Sequence, residues 1–263
     1  MDAVQERYVP MEHQEVPRRV VVTGGGRGIG AALVSALAES GDRVVIADLI
    51  DDGAQLADEL TTAGRDVSFI RTDIGDESSV AALADHCRSA LGAVDVLVNN
   101  AGIYQSLGAK VPFEEISPDA FRRVLDVNVT GTWLVTRAML PLLENGSDAR
   151  IICTASSTVH MGVPYFAHYV ASKGAVIALV RALAPELGKK GITINAVAPG
   201  LVDTEATRIL NGKEYLPTAA QRRAIPRTMV ADDLVGAVRF LGGRDSGFIT
   251  GQTLVVDGGV VFL

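Results

Sequence analysis

The sequence predicts a doubly wound α/β fold, a parallel sheet of about seven strands flanked by helices in a single domain. Three observations predict it. Seven short apolar runs recur along the chain, RVVVT (19–23), RVVIAD (43–48), DVSFIRTD (66–73), VDVLVNN (94–100), ARIICTAS (149–156), ITINAVAP (192–199) and QTLVVDGG (252–259). Most are continuous Val, Ile and Leu stretches rather than alternating ones, as strands buried on both faces of a parallel sheet require. Helical patterns fill the intervals, at roughly 28–40, 52–63, 77–91, 117–144, 166–189 and 229–242, and strand–helix alternation over the whole length winds a sheet on both sides. No repeat, low-complexity tract or Pro/Gly linker divides residues 19–263.

Composition narrows the function classes. The chain of 263 residues is 48% apolar, enough for a sizeable core, and 21% charged, ordinary for a soluble protein. Its net charge of −7 argues against nucleic acid, which calls for a basic face. No apolar run approaches the ~18 residues of a membrane span. Residues 1–18 carry scattered acids without an apolar core and read as a polar leader rather than a targeting segment. Cys87 and Cys153, the only cysteines, make neither a disulfide framework nor a metal cluster, so no metal is expected and the cytoplasm is the expected compartment.

The first strand runs into TGGGRGIG (23–30), which opens the first helix. Gly24, Gly28 and Gly30 have the TGxxxGxG spacing, a variant of the dinucleotide loop. Glycines there let backbone approach a pyrophosphate resting on the helix N-terminus, and Arg27 and Ile29 complete that turn. Thr23 reads as a structural link from strand to loop. Asp48 closes the second strand, where a carboxylate binds the adenosine ribose hydroxyls and repels a 2′-phosphate. Arg27 cuts the other way, since it can meet that phosphate. The carboxylate at the strand end dominates, which favours NAD over NADP.

The stretch YFAHYVASK (165–173) places two tyrosines ahead of a lysine. Tyr169 and Lys173, four apart on a helix, share one face. Tyr165 is about 12 Å from Lys173 along the axis at ~1.5 Å per residue. A cation beside a phenol lowers its pKa, which makes a tyrosine usable as an acid or base near neutral pH.

Together, TGGGRGIG, NNAG (99–102), Ser156, YVASK (169–173) and PGLVDT (199–204) stand in an order and spacing that resemble the short-chain dehydrogenases/reductases, over about residues 19–260. The resemblance is greatest to NAD-dependent secondary-alcohol dehydrogenases and 3-oxoacyl reductases, and it implies a Rossmann-type domain. It implies that Tyr169 is the general acid/base, that Lys173 holds the nicotinamide ribose and lowers the Tyr169 pKa, and that Ser156 hydrogen-bonds the substrate oxygen. Asn128, in DVNVTG, would hold a water that completes a proton relay. Asn100, Ala101 and Gly102 would support the cofactor side of the sheet, Asp73 and Ile74 flank the adenine, and Pro199, Gly200, Val202 and Thr204 position the nicotinamide. A homotetramer, paired through the helices at 117–144 and 166–189 and the last strand, is implied as well.

Other residues read differently. Ser157, next to Ser156, is a turn residue, Cys153 inert core, and His168 a bystander on another helix face. His160, with Val159, stands where many relatives carry a small residue, which puts the pocket shape in question. By position the substrate pocket draws on Tyr104, His160, Met161, Tyr165, Phe166 and Leu201, mostly apolar or aromatic and with no fixed cation. That suggests a neutral, fairly hydrophobic ketone or secondary alcohol. Residues 205–227 read as a lid. Its Arg208, Lys213, Arg222, Arg223 and Arg227 read first as solvated charge. Two alternatives remain at this level. An NADPH-linked 3-oxoacyl reductase would want a basic rim for an acidic carrier protein. A non-catalytic NAD sensor would not need the set Ser156, Tyr169, Lys173 and Asn128.

Overall fold

The computed structural model describes residues 17–104, 107, 108, 110–212 and 214–263. The polar leader, apart from its last two residues, lies outside the described residues, as does Lys213 of the expected lid. Seven strands, β1 (Arg19–Thr23), β2 (Arg43–Asp48), β3 (Val67–Arg71), β4 (Val96–Asn99), β5 (Arg150–Thr154), β6 (Thr193–Pro199) and β7 (Thr253–Val256), form one sheet in the order β3-β2-β1-β4-β5-β6-β7. Every neighbouring pair is parallel, with Val20 opposite both Val44 and Val96. The order reverses between β1 and β4, and that switch opens a crevice beyond their carboxyl ends.

Why the strands are continuous apolar runs is visible in the core. Successive side chains point to opposite faces, and both faces are dry. Val21, Val45, Leu97, Ile151 and Ile194 face one cluster, covered by α3 (Glu77–Leu91), α5 (Thr132–Glu144) and α7 (Ala167–Gly188). Val20, Val22, Ile46, Val98 and Ile152 face the other, covered chiefly by α1 (Gly28–Glu39) and α10 (Val235–Gly242). The helix α2 (Asp52–Thr62) adds Ala57 to that second layer.

The expected helix at 117–144 is continuous but not uniform. Ser117 caps it, its hydroxyl accepting from the Ala120 amide at 3.1 Å, and Pro118 occupies the first turn of α4 (Pro118–Leu125). A π turn, Asp126–Gly131, then widens the helix before α5 resumes. The last expected helix likewise splits into a 3₁₀ turn, Ala231–Leu234, and α10. The final strand is shorter than its sequence run because Asp257 turns the chain: its carboxylate accepts from the amides of Gly259, Val260 and Val261 at 2.9–3.0 Å. Among the described residues no helix is long and apolar enough to cross a membrane.

Candidate active site

A cleft of about 1510 Å³ lies over the carboxyl ends of the strands, larger than the ~300–1,000 Å³ usual for one small ligand. One end is built from backbone. Gly24 carries φ +63°, and a Cβ on Gly30 would lie 1.9 Å from the Gly24 carbonyl oxygen, so the turn admits no side chain there. Thr23 ties this loop to the next strand: its hydroxyl accepts from the amides of Asn100 and Ala101, both at 3.1 Å. The Asn100 side chain returns the tie by donating to the carbonyls of Thr23 and Gly24, at 3.2 and 2.9 Å. The expected structural role of Thr23 is thus visible.

Asp48 lines the cleft, its carboxylate accepting from the Gly26 amide at 2.8 Å and the Ile50 amide at 3.3 Å. Arg27, which could have met a phosphate, is held in a two-point pair by Asp52, at 2.7 and 2.9 Å. Ile29, Asp73, Ile74, Ala101, Gly102, Pro199, Gly200, Val202 and Thr204 all line the same cleft. Thr204 caps α8 (Glu205–Asn211) through a bond from the Thr207 amide at 3.2 Å. The glycine turn, the carboxylate at the strand end and the helix N-terminus behind the turn fit a dinucleotide.

At the centre stand Ser156, Tyr169 and Lys173. The helix α7 begins just beyond Pro164 and Phe166 and carries both Tyr169 and Lys173 buried, one turn apart. Ser156 follows β5, its oxygen accepting from the Thr158 hydroxyl at 2.9 Å. The neighbouring Ser157 hydroxyl instead donates to the Met161 sulfur at 3.6 Å.

The expected lowering of the Tyr169 pKa is not what the structure shows. Burial pushes the Tyr169 phenol up, Tyr104 adds to that, and the Ser156 hydroxyl opposes it. Burial also pulls the Lys173 ammonium down to about 8. The geometry explains both. The Lys173 Nζ donates to the Thr154 carbonyl at 2.8 Å and stands 5.9 Å from the Tyr169 ring centre, while Tyr104 and Phe166 pack on that ring at 5.3 and 4.8 Å. Desolvation is the largest cause of both shifts.

Asn128 stands behind the cleft wall rather than in it. It is 1% exposed, in the π turn, and its amide is committed to neighbours. The Oδ1 accepts from the Ile103 amide at 2.6 Å, and the Nδ2 donates to the Ser172 hydroxyl at 3.0 Å and the Ile103 carbonyl at 3.3 Å. It braces the loop following β4 against α7.

The substrate end departs most from expectation. Tyr104, Met161, Phe166 and Leu201 line the cleft. His160 and Tyr165 do not. Tyr165 takes φ +62° and is 58% exposed, turned outward by the tight entry into α7. His160 sits on the back of the short helix α6 (Thr158–Met161), with its Nε2 buried. His168 packs edge-on against Phe166 and stays out of the cleft.

Sequence reasoning missed Val163, Lys110, Asn211 and Tyr215, all of which line the cleft. Lys110 also corrects the expectation of a pocket without a fixed cation. Tyr215 opens α9 (Tyr215–Ala220), and with α8 it brings the 205–227 segment over the cleft. The arginines of that segment are mostly engaged. Arg208 pairs with Asp203, Arg227 with Asp233, and Arg223 donates to the carbonyls of Leu201, Arg227 and Asp257.

Comparison with known proteins agrees with this geometry. A family model described as enoyl-(acyl carrier protein) reductase matches residues 24–261. The chain is 37% identical to cis-4-hydroxycyclohexanecarboxylate dehydrogenase of Sinomonas cyclohexanicum, over 92% of this chain and 96% of the other. It is 36% identical to 2,5-dichloro-2,5-cyclohexadiene-1,4-diol dehydrogenase of Sphingobium indicum, with the same coverage. It is 34% identical to L-2,3-butanediol dehydrogenase of Corynebacterium glutamicum, over 92% and 98%. The crystal structure of gox2181 superposes with a TM-score of 0.85 at 31% identity, over 93% of this chain and 96% of that one.

Proposed function

Because this chain belongs to the short-chain dehydrogenase/reductase family, and is therefore an oxidoreductase of CH–OH groups that works with a nicotinamide cofactor, we propose that it interconverts a secondary alcohol and a ketone using NAD(H). The observation that carries this is one cleft holding a glycine turn, Asp48, Ser156 and the Tyr169–Lys173 face.

The bound cofactor supplies the hydride acceptor or donor. The chain's own residues do the rest. Ser156 donates a hydrogen bond to the substrate oxygen and steadies it as its charge changes. Tyr169 as phenolate takes the alcohol proton in oxidation, and as phenol it gives that proton back in reduction. Lys173 holds the nicotinamide ribose and biases the phenol, and Asn128 fixes the backbone at Ile103 against α7 so that these groups keep their spacing. Tyr104, Phe166 and Tyr215 exclude water and receive an apolar substrate body. The 205–227 segment acts as the lid. Cyclic and vicinal alcohols, the substrates named for the relatives above, are the class to try first.

NAD is preferred over NADP in this reading because Asp48 stands where the adenosine ribose binds and Asp52 occupies Arg27. The test is kcat/KM with each cofactor on a panel of cyclic secondary alcohols. A strong preference for NAD is expected, and equal use of NADP overturns the assignment.

A homotetramer in the cytoplasm completes the proposal. Exposed Phe113, Trp133, Phe248, Leu254 and Phe262 support self-association. The buried thiols of Cys87 and Cys153, both pushed up to about 12 by burial, suit a reducing compartment. Sedimentation at micromolar concentration reads the assembly, and a monomer there contradicts it.

A further inference from the structure

We infer that Lys110 is a substrate-recognition cation and that the substrate class is a secondary alcohol or ketone bearing a carboxylate at the end remote from the reacting carbon; this rests on the redox reading above.

Lys110 reaches the cleft from the loop after β4, far in sequence from the lid. Its Nζ donates to the Asn211 Oδ1 at 2.7 Å and stands 5.4 Å from the Phe166 ring centre and 5.8 Å from that of Tyr215. Asn211 is itself oriented. Its Nδ2 donates to the Thr207 carbonyl at 3.1 Å and the Tyr104 hydroxyl at 3.3 Å, which leaves the Oδ1 for the ammonium. The cation is therefore held in place by a polar partner and two rings.

What it lacks is an anion. The arginines Arg208 and Arg227 of the lid face carboxylates, whereas among the described residues no acidic side chain pairs with Lys110. Burial lowers its pKa, and no charge offsets that. An ammonium has three N–H donors, and Asn211 takes one. The aromatic rings cannot accept an ion pair, and the ammonium stands exposed at the cleft rim, open to an incoming carboxylate.

The distances say which molecules bridge the two ends. Phe166 lies 4.8 Å from Tyr169 and Lys110 5.4 Å from Phe166, ring centres in each case for the aromatics. Those two steps set an upper limit on the distance from the Tyr169 ring centre to the ammonium, a length within reach of one substituted six-membered ring. Its hydroxyl or carbonyl then meets Tyr169 and Ser156 while its carboxylate meets Lys110.

The experiment pairs a keto acid with its neutral isostere, 4-oxocyclohexanecarboxylate and its methyl ester, reduced with saturating NADH. Wild type is expected to favour the acid. Lys110→Met should lower kcat/KM for the acid roughly 10- to 150-fold, mainly through KM, as loss of a charge-assisted hydrogen bond implies, and leave the ester nearly unchanged. Lys110→Arg should retain most of the preference. Equal losses on acid and ester would reduce Lys110 to a clasp between loop and lid and overturn the inference, as would a wild type indifferent to the charge. Calorimetry with unreactive cyclohexanecarboxylate and cyclohexanecarboxamide gives a readout independent of turnover. The acid should bind more tightly to wild type with NAD present, and Lys110→Met should abolish the difference; equal binding by wild type sinks the inference. If the acid binds through Lys110 yet neither ketone is reduced, the redox reading fails and the recognition site stands.

Discussion

The two ends of the cleft are made of different material. At the cofactor end the surface is backbone, packed too closely for a side chain: the Gly24 carbonyl lies 1.9 Å from where a Gly30 Cβ would sit, and two amides donate to the Thr23 hydroxyl. At the substrate end the surface is side chains, brought by three separate segments: the loop after β4 with Tyr104 and Lys110, the entry to α7 with Phe166, and α9 with Tyr215. Rings touching at 4.8–5.9 Å hold it together. A backbone surface cannot be altered one side chain at a time, whereas a side-chain surface can be exchanged without moving the scaffold. The first kind suits a ligand shared across a family, and the second suits a ligand that changes between members.

The group on the border of the two should give the largest effect. Tyr169→Phe removes only the hydroxyl and keeps the ring between Tyr104 and Phe166. Turnover should fall by roughly 10²- to 10⁴-fold, the range for a lost general acid/base, while NADH titration by fluorescence stays nearly unchanged. Retained turnover would remove Tyr169 from the chemistry.

Next comes the one side chain on which the backbone end depends for its choice of ligand. Asp48→Ser should weaken NAD by roughly 10- to 150-fold and admit NADP. Because the same carboxylate accepts from the Gly26 amide at 2.8 Å, the melting temperature should be read beside kcat/KM. A variant that unfolds but shows no shift in cofactor ratio would make Asp48 a brace for the turn and nothing more.

A smaller, graded effect is expected from pH. Burial holds Lys173 at about 8, below the ordinary lysine value, and lifts the Tyr169 phenol above its own. Of the two groups, Lys173 therefore gives up its proton first, near 8. Oxidation needs the pair to accept a proton, so kcat/KM for the alcohol should rise as pH passes upward through about 8, and kcat/KM for the ketone should fall. Profiles flat across that range in both directions would break the coupling.

The smallest effect belongs to Tyr165. Its side chain points away from the cleft, so Tyr165→Phe should change kcat/KM by no more than about twofold on any substrate, in line with surface changes of about 0.5 kcal/mol. A changed substrate preference would mean that the entry to α7 reorganises when substrate binds.

The same division explains what the sequence made legible. The seven strands were readable because burial on both faces forces continuous Val and Ile runs, and Val20 to Val22 are fully buried on alternating sides. The glycine turn and the Tyr169–Lys173 pair were readable because each lies within one short segment, where spacing sets geometry. His160 and Tyr165 were misplaced because position along the chain does not give the direction of a side chain. A φ of +62° turns Tyr165 out, and no residue pattern announces that. Lys110 was missed for the complementary reason: its partners Phe166, Asn211 and Tyr215 come from the other half of the chain, and only the fold assembles them. The π turn left no signature that separates DVNVTG from an ordinary helix.

That turn has a meaning for how this helix tolerates change in length. Each residue advances an α-helix by about 100°, so the wide turn at Asp126–Gly131 acts as a phase offset between α4, which packs on α7, and α5, which packs on α3. Loss of a single residue there would leave two well-formed helices whose buried stripes no longer face their partners together. Asn128, set at the offset, would be rotated off Ile103 and Ser172 in the same step. The segment thus accepts substitution far more readily than it accepts a frame of one residue more or fewer, and the bracing of the site is written into its length.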